Sequence, residues 1–447
     1  MGPQVMTVFG DAGMPERVDT VIVGGGIIGV SAALCLAEAG QSVAVVEKGH
    51  IAGEQSSRNW GWCRQAMRDP REMDLAREAL NLWRGMNARV GGDTGFTTCG
   101  TLYAARDEAS LARYRRWTAH AAGAGIAAEV IEGAAVRALL PGDIDPPRRG
   151  LYCPGDGRAE PQRAVPLMAE AARRLGAHIL TDCAARGVDV AGGRVVGVVT
   201  ERGTIRAGRV IVAGGVWTRR ILSDLGIALP QLPVRATVAR TQPGFADGVR
   251  QGPLPDFLDG VFGVRRRADG GFTVANAYIN SVPVIPASFR HFRAYWHLLR
   301  MEWRHVRFRL GEDFWREWRD GGPVPFDRVS PYERVRVLDP RPDRAYAEAS
   351  LKALKERYPA LGGLRLAQVW GGMIDATPDT VPVIAPVATI DGLVVATGFS
   401  GHGFGVGPAG GQLAADLVLG RKPLVDPTPF RLERYFDGTM PPPVYGV

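Results

Sequence analysis

Lysine is almost missing from this chain: Lys48, Lys352, Lys355 and Lys422 are the only four among 54 basic side chains, the rest being arginine. The net charge of +8 is spread among 46 acids, with no basic tail and no nucleic-acid motif, so nucleic acid is not an expected partner. Cysteine is scarce as well. Cys35, Cys63, Cys99, Cys153 and Cys183 are odd in number and far apart, which excludes a disulfide framework or a metal cluster and suits a reducing, cytoplasmic setting. The first twenty residues carry acids and a proline and lack an apolar core, so no signal peptide is expected. Long uncharged runs are lacking except at residues 20–37, a stretch almost long enough to cross a bilayer. Its three consecutive glycines and its strand-then-helix pattern make it a buried β-turn-α unit instead. No internal repeat and no low-complexity segment is present.

What remains is the profile of a globular enzyme, 46% hydrophobic and 22% charged, and 447 residues predict two domains. Val21-Ile22-Val23 reads as a buried strand, residues 27–38 as a helix closed by Gly40, and Val43-Ala44-Val45-Val46 as a second, parallel strand. Further on, a helix is expected over 164–175 and strands over 177–181, 195–200 and 209–213. Residues 100–150 mix short patterns and end in a Pro-rich stretch, 141–147. A long region from about 230 to 365 does not repeat the βαβ pattern. Glycine punctuation returns around 370, a strand is expected over 393–396, and a helix over 412–419.

Gly24-Gly25-Gly26-Ile27-Ile28-Gly29 follows the first strand and opens the helix. Gly24 permits the tight turn, Gly26 lets the backbone approach a pyrophosphate, and Gly29 lets helix and sheet pack closely. The helix N-terminus, near Ile28, offers N–H groups and partial positive charge to phosphates. Glu47 ends the second strand, where an acid accepts hydrogen bonds from a ribose diol and repels a 2′-phosphate. Strand, turn, helix, strand and acid in this order point to a dinucleotide other than NADP.

The residues after the acid run Lys48-Gly49-His50-Ile51-Ala52-Gly53-Glu54-Gln55-Ser56-Ser57-Arg58-Asn59-Trp60-Gly61-Trp62. This segment resembles the one with which the D-amino-acid oxidase superfamily (sarcosine oxidase, glycine oxidase and D-amino acid dehydrogenase among its members) holds FAD. Val210-Ile211-Val212-Ala213-Gly214-Gly215-Val216-Trp217, the Trp370-Gly371-Gly372-Met373-Ile374-Asp375 stretch, and Gly398-Phe399-Ser400-Gly401-His402-Gly403-Phe404 resemble later motifs of that family in the family's order. The resemblance spans about residues 18–420 and is weakest over 230–365. It implies an α/β fold: a Rossmann-type, glutathione-reductase-like FAD-binding domain interleaved with an α+β substrate domain. The expected division gives 17–100, 151–225 and 366–425 to the cofactor, 101–150 and 226–365 to the substrate, and 426–447 to a C-terminal tail.

The resemblance also implies roles for residues. Ala185 would meet the adenine. Lys48 and Ser56 would lie along the cofactor, and Ser57, Arg58 and Asn59 would run past the pyrophosphate and isoalloxazine. Ala213, Gly214 and Trp217 would border the nucleotide, and Gly372 and Ile374 the flavin ring. The loop of Gly398, Gly401, His402, Gly403 and Phe404 would set N–H groups near the flavin C2 carbonyl. Covalently flavinylated relatives use a cysteine or histidine, but Gly372 stands at the cysteine position, so FAD is expected to be noncovalent. A mid-chain oxygen-activating lysine is missing, and Gly405 replaces a substrate-anchoring lysine.

The expected chemistry is hydride transfer from the carbon beside nitrogen to flavin N5, followed by imine hydrolysis. The substrates implied are N-substituted glycines such as sarcosine or iminodiacetate, or D-amino acids, with O2, a quinone or another electron acceptor. A buried carboxylate calls for arginine: Arg64 is the first candidate and Arg68 the second, against a solvated charge or a phosphate clamp. Trp62, with Trp60, either walls the substrate pocket or belongs to the core. His402 either touches substrate or packs on cofactor. Two rivals are an FAD-bearing electron-transfer subunit and a flavin-binding tRNA-modifying enzyme, the latter disfavoured by dispersed arginines. In residues 289–315, Phe292, Tyr295, Trp296, Leu299, Trp303, Val306 and Leu310 repeat at helical spacing among arginines. They predict a helix that covers the substrate domain or a dimer contact, or one that lies on an anionic membrane.

Overall fold

The run Val21-Ile22-Val23 lies in the middle of a six-stranded sheet in the computed structural model, which describes residues 1–140, 142, 149–244, 254–276 and 280–444. The expected Pro-rich stretch at 141–147 falls almost wholly outside the described residues. In chain order the sheet contains β1 (Thr20–Val23), β2 (Val43–Val46), β3 (His178–Leu180), β4 (Arg209–Val212), β5 (Val383–Pro386) and β6 (Leu393–Thr397). Its spatial order is β5-β6-β4-β1-β2-β3, parallel throughout except for β5. The strands are buried on both faces, which is why they read as unbroken β-branched runs rather than alternating ones. An antiparallel meander of Ala185–Ala191, Arg194–Thr200 and Gly203–Arg206 adjoins this sheet.

Four helices frame the cofactor side: α1 (Ile27–Glu38), α2 (Met73–Val90), α3 (Pro161–Arg174) and α4 (Gly403–Leu419). The last begins nine residues before the expected start. Glycine costs about 1 kcal/mol relative to alanine inside a helix, so Gly403 to Gly411 argues for a loop when read locally. Close packing overrides that local preference. A Cβ at Gly411 would lie 2.7 Å from the Ile28 carbonyl oxygen, one at Gly407 2.8 Å from Ile27 Cγ1, and one at Gly405 2.8 Å from the Trp62 carbonyl oxygen. The glycines let α4 press directly onto α1 and onto the Trp62 strand.

A second sheet has ten strands among the described residues. At its centre, Leu232–Thr241 pairs antiparallel with Leu366–Ala376 from Leu232↔Ala376 to Thr241↔Leu366. The expectation that the cofactor stretch starts at 366 is therefore corrected: this strand is hydrogen-bonded into the second sheet, and the chain rejoins the first at β5. Arg149–Cys153 likewise straddles the expected boundary at 151 and pairs with Thr101–Ala105.

Residues 289–315 do not form one helix. They contain the end of Pro286–Arg290, the helix Trp296–Glu302, the strand Val306–Leu310 and the start of Glu312–Asp320. Val306-Arg307-Phe308-Arg309-Leu310 also alternates with period two, and pairing in parallel with Asn280–Val284 selects that period. The expected tail is anchored too. Phe430 and Leu432 are buried, and Arg434 Nε donates to Asp379 Oδ2 at 2.9 Å.

Candidate active site

The carboxyl ends of β1, β2 and β4 open into a long cleft, the position at which doubly wound sheets bind ligands. Gly24 holds φ +114°, and a Cβ there would sit 2.5 Å from the Ala213 carbonyl oxygen, so only glycine makes this turn. A side chain at Gly29 would collide with the Gly24 carbonyl; that glycine serves helix–strand packing and does not line the cleft. No side chain caps α1 at Gly26. Ser56 Oγ accepts from the Ile27 N–H at 2.9 Å, and the rest of the helix tip is left to a ligand. Glu47 accepts from Gly25 N at 2.7 Å and from Gly49 N at 2.8 Å. Burial pushes its carboxyl above the ordinary range, while Lys48 and those two N–H groups oppose the rise.

Lys48 donates to Glu54 at 2.5 Å and lies 4.6 Å above the Trp217 ring, whose Nε1 donates to Glu54 Oε2 at 3.0 Å. This trio walls the middle of the cleft. Ala185 and Tyr332 line it farther out, Ala213 and Gly214 border it, and Met373, Asp375, Phe399, Gly401, Gly403 and Phe404 close the other end. The residues suit an adenine dinucleotide: a helix tip with N–H groups beyond the one Ser56 takes, a half-buried acid for ribose, and an apolar end for a ring system.

Four of the expected residues make other contacts. The Arg58 guanidinium, expected to run past the pyrophosphate and isoalloxazine, bonds Asp339 at 2.5 Å and the Gly371 carbonyl at 2.9 Å and so ties loop to strand. Ser57 faces inward, its carbonyl accepting from Gln162 Nε2 at 2.5 Å. Gly372 and Gly398 do not line the cleft: a side chain at the first would strike Gln55, and one at the second would strike Thr377. Asn59 remains at the wall, its Oδ1 accepting from Gly61 N at 2.7 Å, which shapes the bend before Trp62.

Asp375 was not legible as a functional residue. Its carboxylate accepts from Gly398 N at 2.7 Å and Thr397 Oγ1 at 3.1 Å, and so pins the turn between β6 and α4. That turn includes Ser400 at φ +48°, a strained angle held by its surroundings.

Beyond the inner end of the cleft is a second cavity of about 410 Å³. It shares Gln55, Asn59, Gly401 and Phe404 with the cleft, and Trp62, Arg64, Arg68, Tyr103, Ile374 and His402 face it. Trp62 and Trp60 meet edge to face at 5.2 Å, and Trp62 both lines this cavity and packs into a core cluster. Arg64 lies 5.7 Å from the Trp62 ring and 5.6 Å from the Tyr103 ring, and one of its N–H groups donates to the Ala66 carbonyl. Arg68 is only 2% exposed, and its Nη1 has no hydrogen-bond partner. Trp62 Nε1 and the Tyr103 hydroxyl are also buried and unpartnered. Three of these side chains carry buried polar hydrogens without an acceptor, and two of the four are cationic. The charged run Arg68-Asp69-Pro70-Arg71-Glu72 reads locally as a solvated surface, which hides this burial from the sequence.

The comparisons agree with this geometry. Residues 19–417 match the family described as DAO, FAD dependent oxidoreductase. A glycine oxidase from Pseudomonas aeruginosa is 27% identical over 93% of this chain and 98% of its own length. A sarcosine oxidase subunit beta from Rhodobacter capsulatus is 24% identical over 95% and 90%. Among solved structures, an L-amino acid deaminase from Proteus vulgaris superposes with a TM-score of 0.91 at 34% identity, covering 96% of this chain and all of that one. The chain is a member of the DAO family of FAD dependent oxidoreductases.

Proposed function

We infer that the C–N bond this flavoenzyme oxidises belongs to an α-amino acid whose carboxylate docks on Arg64 and Arg68. The observation that carries this reading is the buried Arg68 guanidinium, whose Nη1 has no acceptor, in a cavity that Arg64 also lines and that adjoins the cofactor cleft. A buried cation strongly favours a charged partner, and a carboxylate matches guanidinium geometry in two-point contact. Noncovalently bound FAD supplies the two-electron acceptor. Trp62 and Tyr103 exclude water and orient the side chain. α4, which has no side-chain cap at its N-terminus, places positive partial charge at the inner end of the cleft. The amine becomes an imine, which water hydrolyses to the oxo acid. Likeness to the L-amino acid deaminases supports the L hand, and likeness to glycine oxidase supports small substrates. A cavity lined by arginines and aromatics beside the cofactor cleft favours a self-contained enzyme over an electron-transfer subunit.

The test is anaerobic flavin bleaching with L- and D-amino acids, sarcosine and iminodiacetate, each paired with its decarboxylated amine. Bleaching by amino acids at least about tenfold faster, or about 1.4 kcal/mol of anchoring, is expected. Equal rates with the decarboxylated amines would sink the reading.

A specific observation bears on the acceptor. Phe289, Phe292, Trp303, Phe308, Trp315 and Trp318 are each exposed within residues 289–318, and no carboxylate partner of Arg290, Arg293 or Arg300 is found among the described residues. This face supports peripheral contact with an anionic membrane and a quinone acceptor. No helix among the described residues is long and apolar enough to cross a membrane.

A further inference from the structure

One buried pair at the cavity stands apart from the carboxylate anchor. Glu72 closes the turn Pro70–Glu72 and is the N-cap of α2, while His402 is the N-cap of α4, so two helix tips meet here. Glu72 is fully buried, its Oε2 lies 3.3 Å from His402 Nδ1, and its Oε1 has no hydrogen-bond partner. His402 faces the cavity with Arg64 and Arg68, and its Nε2 has no hydrogen-bond partner among the described residues.

We propose that His402 and Glu72 form a relay that takes the proton from the substrate ammonium, and that a carboxylate docked on Arg64 and Arg68 switches it on. This deepens the amino-acid reading and rests on it. Only the neutral amine donates hydride readily, so one proton must leave the ammonium first. The N–H bond breaks with its electron pair left on the amine nitrogen. The proton joins His402 Nε2, and the Nδ1 proton passes to Glu72 Oε2. No electron changes hands in this step. His402 is the catalytic residue, and Glu72 orients it and ends up holding the proton.

The surroundings favour that final state, and Glu72, raised to about 8, is the empty acceptor the relay needs only above that pH. Burial, then Arg68 and Arg64, hold the imidazole well below its ordinary value, so it stays neutral after the relay. Burial raises Glu72; Asp69 and Asp379 add to the rise, while Arg68 and Arg71 oppose it. Arg68 is therefore the brake on proton uptake by Glu72. A carboxylate paired with Arg68 screens that charge and releases the brake. An amine without a carboxylate leaves it on, so discrimination acts at deprotonation as well as at binding.

The experiment is NMR of FAD-loaded protein labelled with 15N-histidine, with His402 assigned by signal loss in His402→Asn. Benzoate, a carboxylate with no ammonium, is the probe, and its binding is read separately from the flavin absorbance. In the proton-loaded relay the ring carries Nε2–H; in the unloaded relay it carries Nδ1–H. A tautomer change with rising pH is expected, with benzoate moving its midpoint upward by about one unit or more and Glu72→Gln abolishing it. A wild-type ring with one tautomer at every pH, or a midpoint unmoved by bound benzoate, would overturn the relay while leaving the arginine anchor standing. Failure of benzoate to bind, together with no preference for amino acids in bleaching, would overturn the anchor and the relay with it.

Discussion

The Glu47 carboxylate holds both sides of the cofactor turn, accepting from Gly25 N at 2.7 Å through one oxygen and from Gly49 N at 2.8 Å through the other. Removing it by Glu47→Ala strands two buried donors at about 1–3 kcal/mol each and takes away the acceptor for a ribose diol. Flavin-free protein should unfold at a lower temperature, and FAD should bind at least about tenfold more weakly, a difference of about 1.4 kcal/mol. Glu47→Gln, which keeps one acceptor, should fall between. Thermal unfolding and flavin titration check both, and an alanine variant that retains FAD like the wild type would contradict the placement of the nucleotide.

Glycines in two helices should respond with opposite signs. At Gly411 a Cβ would lie 2.7 Å from the Ile28 carbonyl oxygen and from Ala32 N, backbone that cannot yield without parting α1 from α4. Gly411→Ala should destabilise by about 1–3 kcal/mol, the usual range for overpacking. At Gly85, inside α2 and exposed, an added Cβ meets nothing within 4 Å. Gly85→Ala should stabilise by about 0.5–1 kcal/mol through helix propensity. Denaturant unfolding of the two variants measures the difference directly.

The same contrast explains what the sequence discloses. The unit over residues 20–46 is legible because apolar periodicity, glycine punctuation and the terminal acid all agree. The onset of α4 is not, because glycine argues locally for a loop and only contact with α1 and Trp62 reverses it. Residues 289–315 carry two periods at once, and strand pairing to Asn280–Val284 decides between them. At the site, the cofactor glycines announce themselves, but Arg58, Arg68, Glu72 and Asp375 do not. Whether a charged side chain meets phosphate, carboxylate or a neighbouring carbonyl depends on elements that are remote in the chain. Gly405 is informative once its neighbours are known: no side chain fits there, so an anchoring lysine is excluded and the arginines across the cavity remain as the cations.

Acid should loosen the outer end of the cleft. Glu333 takes both Nε and Nη2 of Arg186 at 3.0 Å and the Ser330 N–H at 2.7 Å. Burial raises its carboxyl, but the Arg186 and Ser330 hydrogen bonds outweigh that and bring it from 4.5 down to about 2. The folded value lies below the unfolded one. This stabilisation is therefore complete above about pH 4.5 and is lost as pH falls toward about 2. The neighbouring Tyr332 lines the cleft and packs on Trp217 at 5.8 Å, so FAD should be released in that window. Glu333→Gln should lower stability at neutral pH and flatten the acid limb, as followed by flavin fluorescence during acid titration.

The exposed aromatic face predicts salt-sensitive attachment to anionic bilayers. Trp315 and Trp318 are 63% and 68% exposed on Glu312–Asp320, and Phe289 and Trp303 are exposed as well. Arginines near an anionic surface contribute about 1 kcal/mol each and are screened within a Debye length, while indoles favour the interface itself. The protein should sediment with vesicles containing phosphatidylglycerol and not with vesicles of phosphatidylcholine alone, and added salt should release it. Trp315→Ala combined with Trp318→Ala should weaken binding with no change in the bleaching rate, because neither side chain lines the cofactor cleft or the arginine cavity. Equal sedimentation with both lipids, or none with either, would count against a membrane-bound acceptor.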